Sequence, residues 1–156
     1  MKQKRWKVEF VSRGDFKRLC TKTHKLQEDW VAISISDNKR EHLEASEWVK
    51  NKFSDSILLV FSDDDTGIDD KDLDELFSFI NKNPNKNVLV HCFAGVSRSG
   101  AVAKFVNEYY DYGNWYLEDY MGYNKKVYDQ LLAKAGLSIS AYYSELEKKD
   151  RSTGIE

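Results

Sequence analysis

The stretch Val88-Leu-Val-His-Cys-Phe-Ala-Gly-Val-Ser-Arg-Ser-Gly100 decides how this chain folds and where its chemistry lies. An apolar run ends at Cys92, a loop follows, and the spacing of the apolar residues after Ser99 predicts a helix. Such a strand–loop–helix junction gathers backbone N–H groups that have no partner inside the helix and directs them at one spot. Because that spot favours negative charge, the stretch predicts an anion site with a thiol at its base.

The loop itself predicts which anion would bind. Five residues separate Cys92 from Arg98, so a curled loop can place the thiol under a phosphate while the guanidinium grips two of its oxygens. Gly95 eases the tight turn. The same N–H groups favour the thiolate, which lowers a cysteine pKa from about 8.5 to between about 3.5 and 7.5. The residues predicted to contact phosphate are Phe93, Ala94, Gly95, Val96, Ser97 and Arg98.

The rest of the chain alternates strand-like and helix-like segments. Apolar runs rich in β-branched residues predict strands at Lys7 to Val11, Val31 to Ser36, Ile57 to Ser62 and Val88 to Cys92. Amphipathic spacing predicts helices at Asp15 to Cys20, Arg40 to Lys52, Asp72 to Asn81, in segments after Ser99, and at Tyr142 to Lys149. This alternation predicts an α/β fold with a central, mostly parallel sheet of about four to five strands and helices on both faces. Ligand sites in such folds lie beyond the carboxyl ends of the strands, where Cys92 falls.

Length and composition set the frame for these elements. A chain of 156 residues with 41% hydrophobic residues and a single proline fits one folded domain, expected over residues 1–150 with a frayed tail at 151–156. A net charge of -2 gives no overall attraction to nucleic acid or to an anionic membrane. The apolar runs are far shorter than the roughly 20 residues of a membrane span, and no signal-peptide pattern is visible, so we expect a cytoplasmic protein.

The residues His91, Cys92, Arg98 and Ser99 follow a known pattern: His-Cys, five residues, Arg, then Ser or Thr. In this the chain resembles the cysteine-dependent protein tyrosine phosphatase superfamily. The resemblance implies a phosphotyrosine phosphatase-like fold and a phosphocysteine mechanism, in which Cys92 attacks phosphorus and water then hydrolyses the thiophosphate. It also implies that Ser99 donates a hydrogen bond to the Cys92 sulfur and that His91 buttresses the loop.

Within that superfamily the short chain and the Ala-Gly-Val-Ser-Arg-Ser loop are similar to the dual-specificity branch. Asn124, Gln130 and Leu131 resemble that branch's Asn-x-x-aromatic-x-x-Gln-Leu segment, with Val127 in the aromatic position. The resemblance thus covers the chain from Ile57 to Leu132. The Trp-Pro-Asp and Lys-Asn-Arg-Tyr motifs of the tyrosine-specific branch are absent from the sequence, so a deep pocket for phosphotyrosine alone is not predicted.

The resemblance further implies an aspartate general acid on a loop upstream of the cysteine. Asp63, Asp64 and Asp65 stand there, directly after a predicted strand. Asp63 is the preferred candidate, because it follows the strand end directly and lies sixteen residues before Phe79, a helix position that matches the related branch. Asp65 is the second candidate.

No metal or cofactor is predicted. The acidic run from Asp63 to Glu75 suggests calcium at first sight, but it fails the calcium-loop pattern. Aligning Gly67 with the glycine of that pattern puts Ser62 at the first ligand position and Leu73 where a bidentate glutamate belongs. The two cysteines, Cys20 and Cys92, lie too far apart in sequence to indicate a zinc site or a disulfide scaffold.

The predicted function is hydrolysis of phosphotyrosine in proteins, with phosphoserine and phosphothreonine as further candidate substrates. The expected partner is therefore a phosphorylated protein rather than nucleic acid or membrane; the oligomeric state is not predicted. Three alternatives stay open: a catalytically silent phosphate-binding relative, an RNA 5′-phosphatase, and a rhodanese-type sulfurtransferase. A lipid phosphatase is less favoured, because Ala94 and Val96 stand where enzymes that act on inositol lipids tend to place lysine. The intact Cys92 argues against the silent relative. The net charge of -2, with no excess of lysine and arginine, argues against the RNA 5′-phosphatase. His91 and the Arg98-Ser99 pair favour phosphate over sulfur transfer.

Overall fold

The computed structural model of the protein describes residues 6–136. Its strands are β1 (Val8–Val11), β2 (Gln27–Ser36), β3 (Phe53–Val60) and β4 (Asn87–His91). Its helices are α1 (Arg13–Lys22), α2 (Lys39–Trp48), α3 (Asp70–Lys82), α4 (Arg98–Tyr109), α5 (Trp115–Glu118) and α6 (Lys125–Lys134). The predicted helix at Tyr142 to Lys149 and the predicted tail at 151–156 lie outside the described residues. Within residues 6–136, no helix has the length and apolar character needed to cross a membrane.

The strands form one parallel sheet in the order β1-β4-β2-β3. The register places Val31 of β2 beside Val88 of β4, and Val11 of β1 beside His91. Because alternate side chains point to opposite faces, β2 from Val31 to Ser36 buries its odd-numbered residues on one side and its even-numbered residues on the other. The predicted α/β class, parallel sheet and helices on both faces are confirmed.

Each face of the sheet has its own core. On one face the buried residues of β2 pack with α3, α4 and α6, whose Leu76, Phe105 and Leu131 are almost fully buried. On the other face α1 supplies Phe16 and Cys20. Burial raises the pKa of Cys20 to about 11, and the charge of Lys52 offsets only part of that rise. Cys20 is therefore a core thiol without nucleophilic character at neutral pH.

Several boundaries differ from those predicted. The strand β2 begins at Gln27 rather than Val31, because its polar first half still pairs with β3 across a register shift. The predicted end of α2 at Lys52 is wrong, since the helix stops at Trp48 and Asn51 takes a left-handed conformation with φ of 57° that turns the chain into β3. The strand β4 ends at His91, which leaves Cys92 as the first residue of the loop.

Candidate active site

The segment Cys92–Ser97 links β4 to α4 and is called the nucleophile loop here. Ser97 occupies the N-cap position of α4, but its side chain makes no capping hydrogen bond. The Ser97 hydroxyl instead donates a hydrogen bond to Oδ1 of Asp63 at 2.8 Å. The backbone N–H groups of Gly95, Val96 and Ser99 all donate toward the Cys92 sulfur. The predicted strand–loop–helix junction thus directs its N–H groups at the thiol.

The Cys92 sulfur is buried and hydrogen-bonded. The residue is 2% exposed, and Sγ lies 3.1 Å from the Ser99 hydroxyl oxygen. Burial is the largest influence on the pKa of this thiol and raises it. The hydrogen bonds from the Ser99 hydroxyl and from the backbone amides of Gly95, Val96 and Ser99 together outweigh burial, so the pKa of Cys92 lies below that of an ordinary thiol. The geometry therefore favours a nucleophilic thiolate.

Contacts outside the nucleophile loop hold its curvature. Gly95 has φ of +74°, and a Cβ on it would lie 2.3 Å from the backbone nitrogen of Ser12, just beyond β1. No other residue type fits this position without displacing the end of β1. Three outward-pointing carbonyls of the loop accept hydrogen bonds: Phe93 from the Arg13 N–H at 3.0 Å, Val96 from the Tyr120 hydroxyl at 2.7 Å, and Ser97 from the Asn124 N–H at 2.9 Å.

Arg98 lies at the start of α4 with only 4% of its side chain exposed. Its Nη1 donates to a carboxylate oxygen of Asp37 and to the carbonyl oxygen of Phe61, both at 2.6 Å. Its Nε is buried and has no hydrogen-bond partner among the described residues. A buried, unpartnered donor on a cation is costly, so this atom indicates a ligand that accepts hydrogen bonds, as an oxyanion would.

Asp37 is a site residue that sequence reasoning missed. It directly follows β2, at the same carboxyl edge of the sheet as Cys92, and that position is the signal that could have found it. The start of α2 fixes its backbone, because the Glu41 carboxylate accepts a hydrogen bond from the Asp37 N–H at 3.0 Å. Asn38 accepts in turn from the Glu41 N–H at 2.9 Å, which completes a variant of the capping box.

His91 is fully buried beneath the nucleophile loop. Its Nδ1 lies 3.3 Å from the Cys92 carbonyl oxygen and its Nε2 lies 2.7 Å from the Ser34 hydroxyl. Burial, reinforced by the charges of Arg13 and Arg98, lowers the pKa of His91 to about 4, so the ring is neutral at pH 7. Since a carbonyl only accepts, Nδ1 carries the proton and Ser34 donates to Nε2. This is the geometry expected of a residue that buttresses the loop.

The three candidate acids occupy different environments on the segment 61–69, called the acid loop here. The Oδ1 atom of Asp63 accepts hydrogen bonds from the Ser97 hydroxyl at 2.8 Å and from the Asn124 side-chain amide at 2.9 Å. Asp64 instead accepts hydrogen bonds from the backbone and side chain of Thr66, which lower its pKa. Asp65 is exposed. The structure therefore brings Asp63 into hydrogen-bond contact with the nucleophile loop, whereas the Asp64 carboxylate bonds to Thr66 and interacts with Arg98 only through its charge.

The rest of the acidic run serves the start of α3. Asp69 is the N-cap of that helix and accepts a hydrogen bond from the Asp72 N–H at 2.8 Å. Burial, with the charges of Asp69 and Glu75, raises the pKa of Asp72. Within residues 6–136, no group of three or more histidine, cysteine, aspartate or glutamate side chains is placed to hold a metal ion.

Comparison with known proteins gives structural likenesses but no match at the level of sequence families. No model of a known protein family matches the chain, and no curated protein matches it. One solved structure that is similar to it is described as Tk-PTP in the active form. The alignment covers 94% of this chain and 91% of that chain, with 16% sequence identity and a TM-score of 0.36. We therefore base the functional inference on the geometry of the site.

The hydrogen bonds to Cys92 predict its alkylation behaviour. Iodoacetate reacts with thiolates, so the midpoint of the alkylation rate of Cys92 against pH should lie below that of a free cysteine. Ser99→Ala removes a donor to the sulfur and should move the midpoint to higher pH. Ser97→Ala is the matched control, because that hydroxyl bonds to Asp63 and should leave the midpoint unchanged. A wild-type midpoint at or above the free-cysteine value would contradict the thiolate assignment.

The neutral, buried His91 predicts a loss of stability in acid. Its folded-state pKa of about 4 lies below the ordinary 6.5, so on acidification the unfolded chain binds this proton first. The stability that it contributes is complete above pH 6.5 and declines toward pH 4, by on the order of 3 kcal/mol. Urea unfolding between pH 7.5 and 4.5 should show a shallower decline for His91→Gln. The exposed His24→Gln serves as the control, and an unchanged decline in His91→Gln would refute the assignment.

Proposed function

We propose that this chain is a cysteine-dependent phosphatase of the protein tyrosine phosphatase superfamily that hydrolyses phosphotyrosine in proteins. The observation that carries the proposal is the pairing of two buried groups at one loop. The Cys92 sulfur is surrounded by hydrogen-bond donors, and the Arg98 Nε has no partner among residues 6–136. A nucleophile beneath an oxyanion seat is what phosphoryl transfer to sulfur requires.

In the first step the phosphate of the substrate binds to the loop N–H groups and to Arg98. Cys92 attacks phosphorus, a P–S bond forms, and the P–O bond to the tyrosine oxygen breaks. Asp63 gives its proton to that oxygen. Because Oδ1 of Asp63 already accepts two hydrogen bonds, the proton belongs on Oδ2. Arg98 stabilises the charge on the equatorial oxygens through two N–H groups.

In the second step water hydrolyses the phosphocysteine. The Asp63 carboxylate takes a proton from the water, the oxygen forms a bond to phosphorus, and the P–S bond breaks to release inorganic phosphate. The departing sulfur becomes a thiolate again. The Ser99 hydroxyl at 3.1 Å and the loop amides stabilise that thiolate, which makes it a better leaving group.

The exposed surface of the nucleophile loop supports phosphotyrosine as the substrate, and the sequence resemblance widens the range of candidates. Phe93 and Val96 on the nucleophile loop are 57% and 48% exposed, so they offer apolar surface to the ring of phosphotyrosine. The loop sequence and the Asn124 to Leu131 segment support the dual-specificity branch, which adds phosphoserine and phosphothreonine as candidates. A nucleophile that must stay reduced supports action in the cytoplasm, and the proposed chemistry uses neither metal nor cofactor.

Replacing the nucleophile tests the function directly. Cys92→Ser should abolish turnover of phosphotyrosine peptides while leaving phosphate affinity largely intact, because the alcohol stays protonated and cannot attack. Cys20→Ala should stay active, since that thiol is in the core away from the nucleophile loop. The same panel should include phosphoinositide vesicles, 5′-triphosphate RNA and a thiosulfate-to-cyanide assay. Activity of Cys92→Ser near wild type, or turnover confined to RNA, lipid or thiosulfate, would overturn the proposal.

The general acid is identified by its dependence on the leaving group. Asp63→Asn should lower the rate roughly 10² to 10⁴-fold for phenyl phosphate and much less for 2,4-dinitrophenyl phosphate, whose phenolate leaves without a proton. It should also flatten the basic limb of the pH profile. Asp64→Asn is the matched control and should be close to neutral, because Asp64 bonds to Thr66. The assignment fails if Asp65→Asn alone produces this pattern, or if none of the three variants does.

A further inference from the structure

A glutamine on α6 makes a paired contact with the far end of the acid loop. The Gln130 Oε1 accepts a hydrogen bond from the Ile68 N–H at 2.9 Å, and its Nε2 donates to the Ile68 carbonyl at 2.7 Å. One side-chain amide therefore satisfies both backbone groups of a single loop residue, 62 positions away in sequence. Ile68 itself is buried in the hydrophobic core that α3, α4 and α6 help to form.

Gly67 makes this contact possible. Its φ is +74°, and a Cβ on it would lie 2.1 Å from the Gln130 Oε1. The backbone of the acid loop thus passes Gln130 more closely than any residue with a side chain permits. The loop residues 62–66 that precede Gly67 are exposed. Gly67 is therefore the point at which the acid loop first packs closely against α6.

The other end of the acid loop is tied to the same helix. Asn124, the N-cap of α6, donates from Nδ2 to Oδ1 of Asp63 at 2.9 Å and to the Asp64 carbonyl at 3.0 Å. Its Oδ1 accepts from the Val127 N–H, so the amide cannot turn over without losing the helix cap. Fixing an exposed loop without regular structure costs conformational entropy. The hydrogen bonds of the Asn124 and Gln130 side-chain amides, one at each end of the acid loop, offset part of that cost.

We propose that Gln130 is a positioning residue that holds the acid loop against α6 and thereby keeps Asp63 over the nucleophile loop. The inference rests on the proposed function, since Asp63 is the acid that it positions. Gln130 contacts the loop backbone rather than the reacting groups, so it acts through Asp63. Its loss should therefore impair proton donation selectively.

The test is Gln130→Met, which keeps the length of the side chain and removes both hydrogen bonds. We expect the rate for phenyl phosphate to fall about tenfold, a fraction of the 10² to 10⁴ that a general acid supplies, and the rate for 2,4-dinitrophenyl phosphate to change less than about twofold. The alkylation midpoint of Cys92 should stay unchanged. Gln27→Met is the matched control, because that exposed glutamine lies at the amino end of β2, opposite the site. Equal losses on both substrates, or no loss on either, would overturn the proposal.

Hydrogen exchange separates this proposal from the proposed function. The Ile68 N–H donates to Gln130, so its exchange should accelerate at least tenfold in Gln130→Met and stay unchanged in Gln27→Met. If the wild type hydrolyses no phosphate ester, the proposed function fails, and faster exchange still shows the tie between α6 and the loop. If exchange at Ile68 does not change, the positioning role is wrong whatever the activity.

Discussion

The site depends on hydrogen bonds to a sulfur atom that has been removed from water. Burial alone would make Cys92 a weaker acid than a free thiol, so the loop amides must point inward and outweigh that cost. When amides point inward, carbonyls point outward and need donors of their own. Arg13, Tyr120 and Asn124 supply those donors from three separate segments. The acidity of Cys92 therefore depends on contacts that hold the loop in this curvature as well as on the loop amides themselves.

The strand order explains why these segments meet. A parallel sheet in the order β1-β4-β2-β3 brings all its carboxyl ends to one edge, where each strand contributes a part. The end of β1 packs against Gly95, and the residue after β2, Asp37, holds Arg98. The residue after β3, Phe61, gives Arg98 its second acceptor through a carbonyl oxygen. The acid loop also begins at this edge, directly after β3. Cys92, Asp37 and the acid loop therefore follow three strands that are neighbours in the sheet.

Local patterns could be predicted from the sequence, and long-range contacts could not. The geometry of the segment from His91 to Ser99 could be predicted, because Cys92, the turn at Gly95 and Arg98 are close together in the sequence. Alternating apolar runs were enough for the α/β class. The contacts of Arg98 with Asp37 and of His91 with Ser34 span 61 and 57 positions and depend on which strands become neighbours. For the same reason the sequence ranks Asp63 above its neighbours only by its place after the strand, whereas its contacts with Ser97 and Asn124 span 34 and 61 positions.

The two edges of the Arg98 guanidinium have different tasks. Nη1 is committed to Asp37 and to the Phe61 carbonyl at 2.6 Å each, which fixes the plane of the group against the ends of β2 and β3. Nε stays buried without a partner in the described part of the chain, and an oxyanion on the loop would satisfy it. A lysine has one compact ammonium on a flexible stem. It could bind Asp37 or the anion, but it lacks the rigid planar group whose separate N–H donors can bind both at once. The anchoring by Asp37 therefore explains why the proposed site needs a guanidinium: Nη1 is bound by the protein, and Nε stays available for the proposed oxyanion.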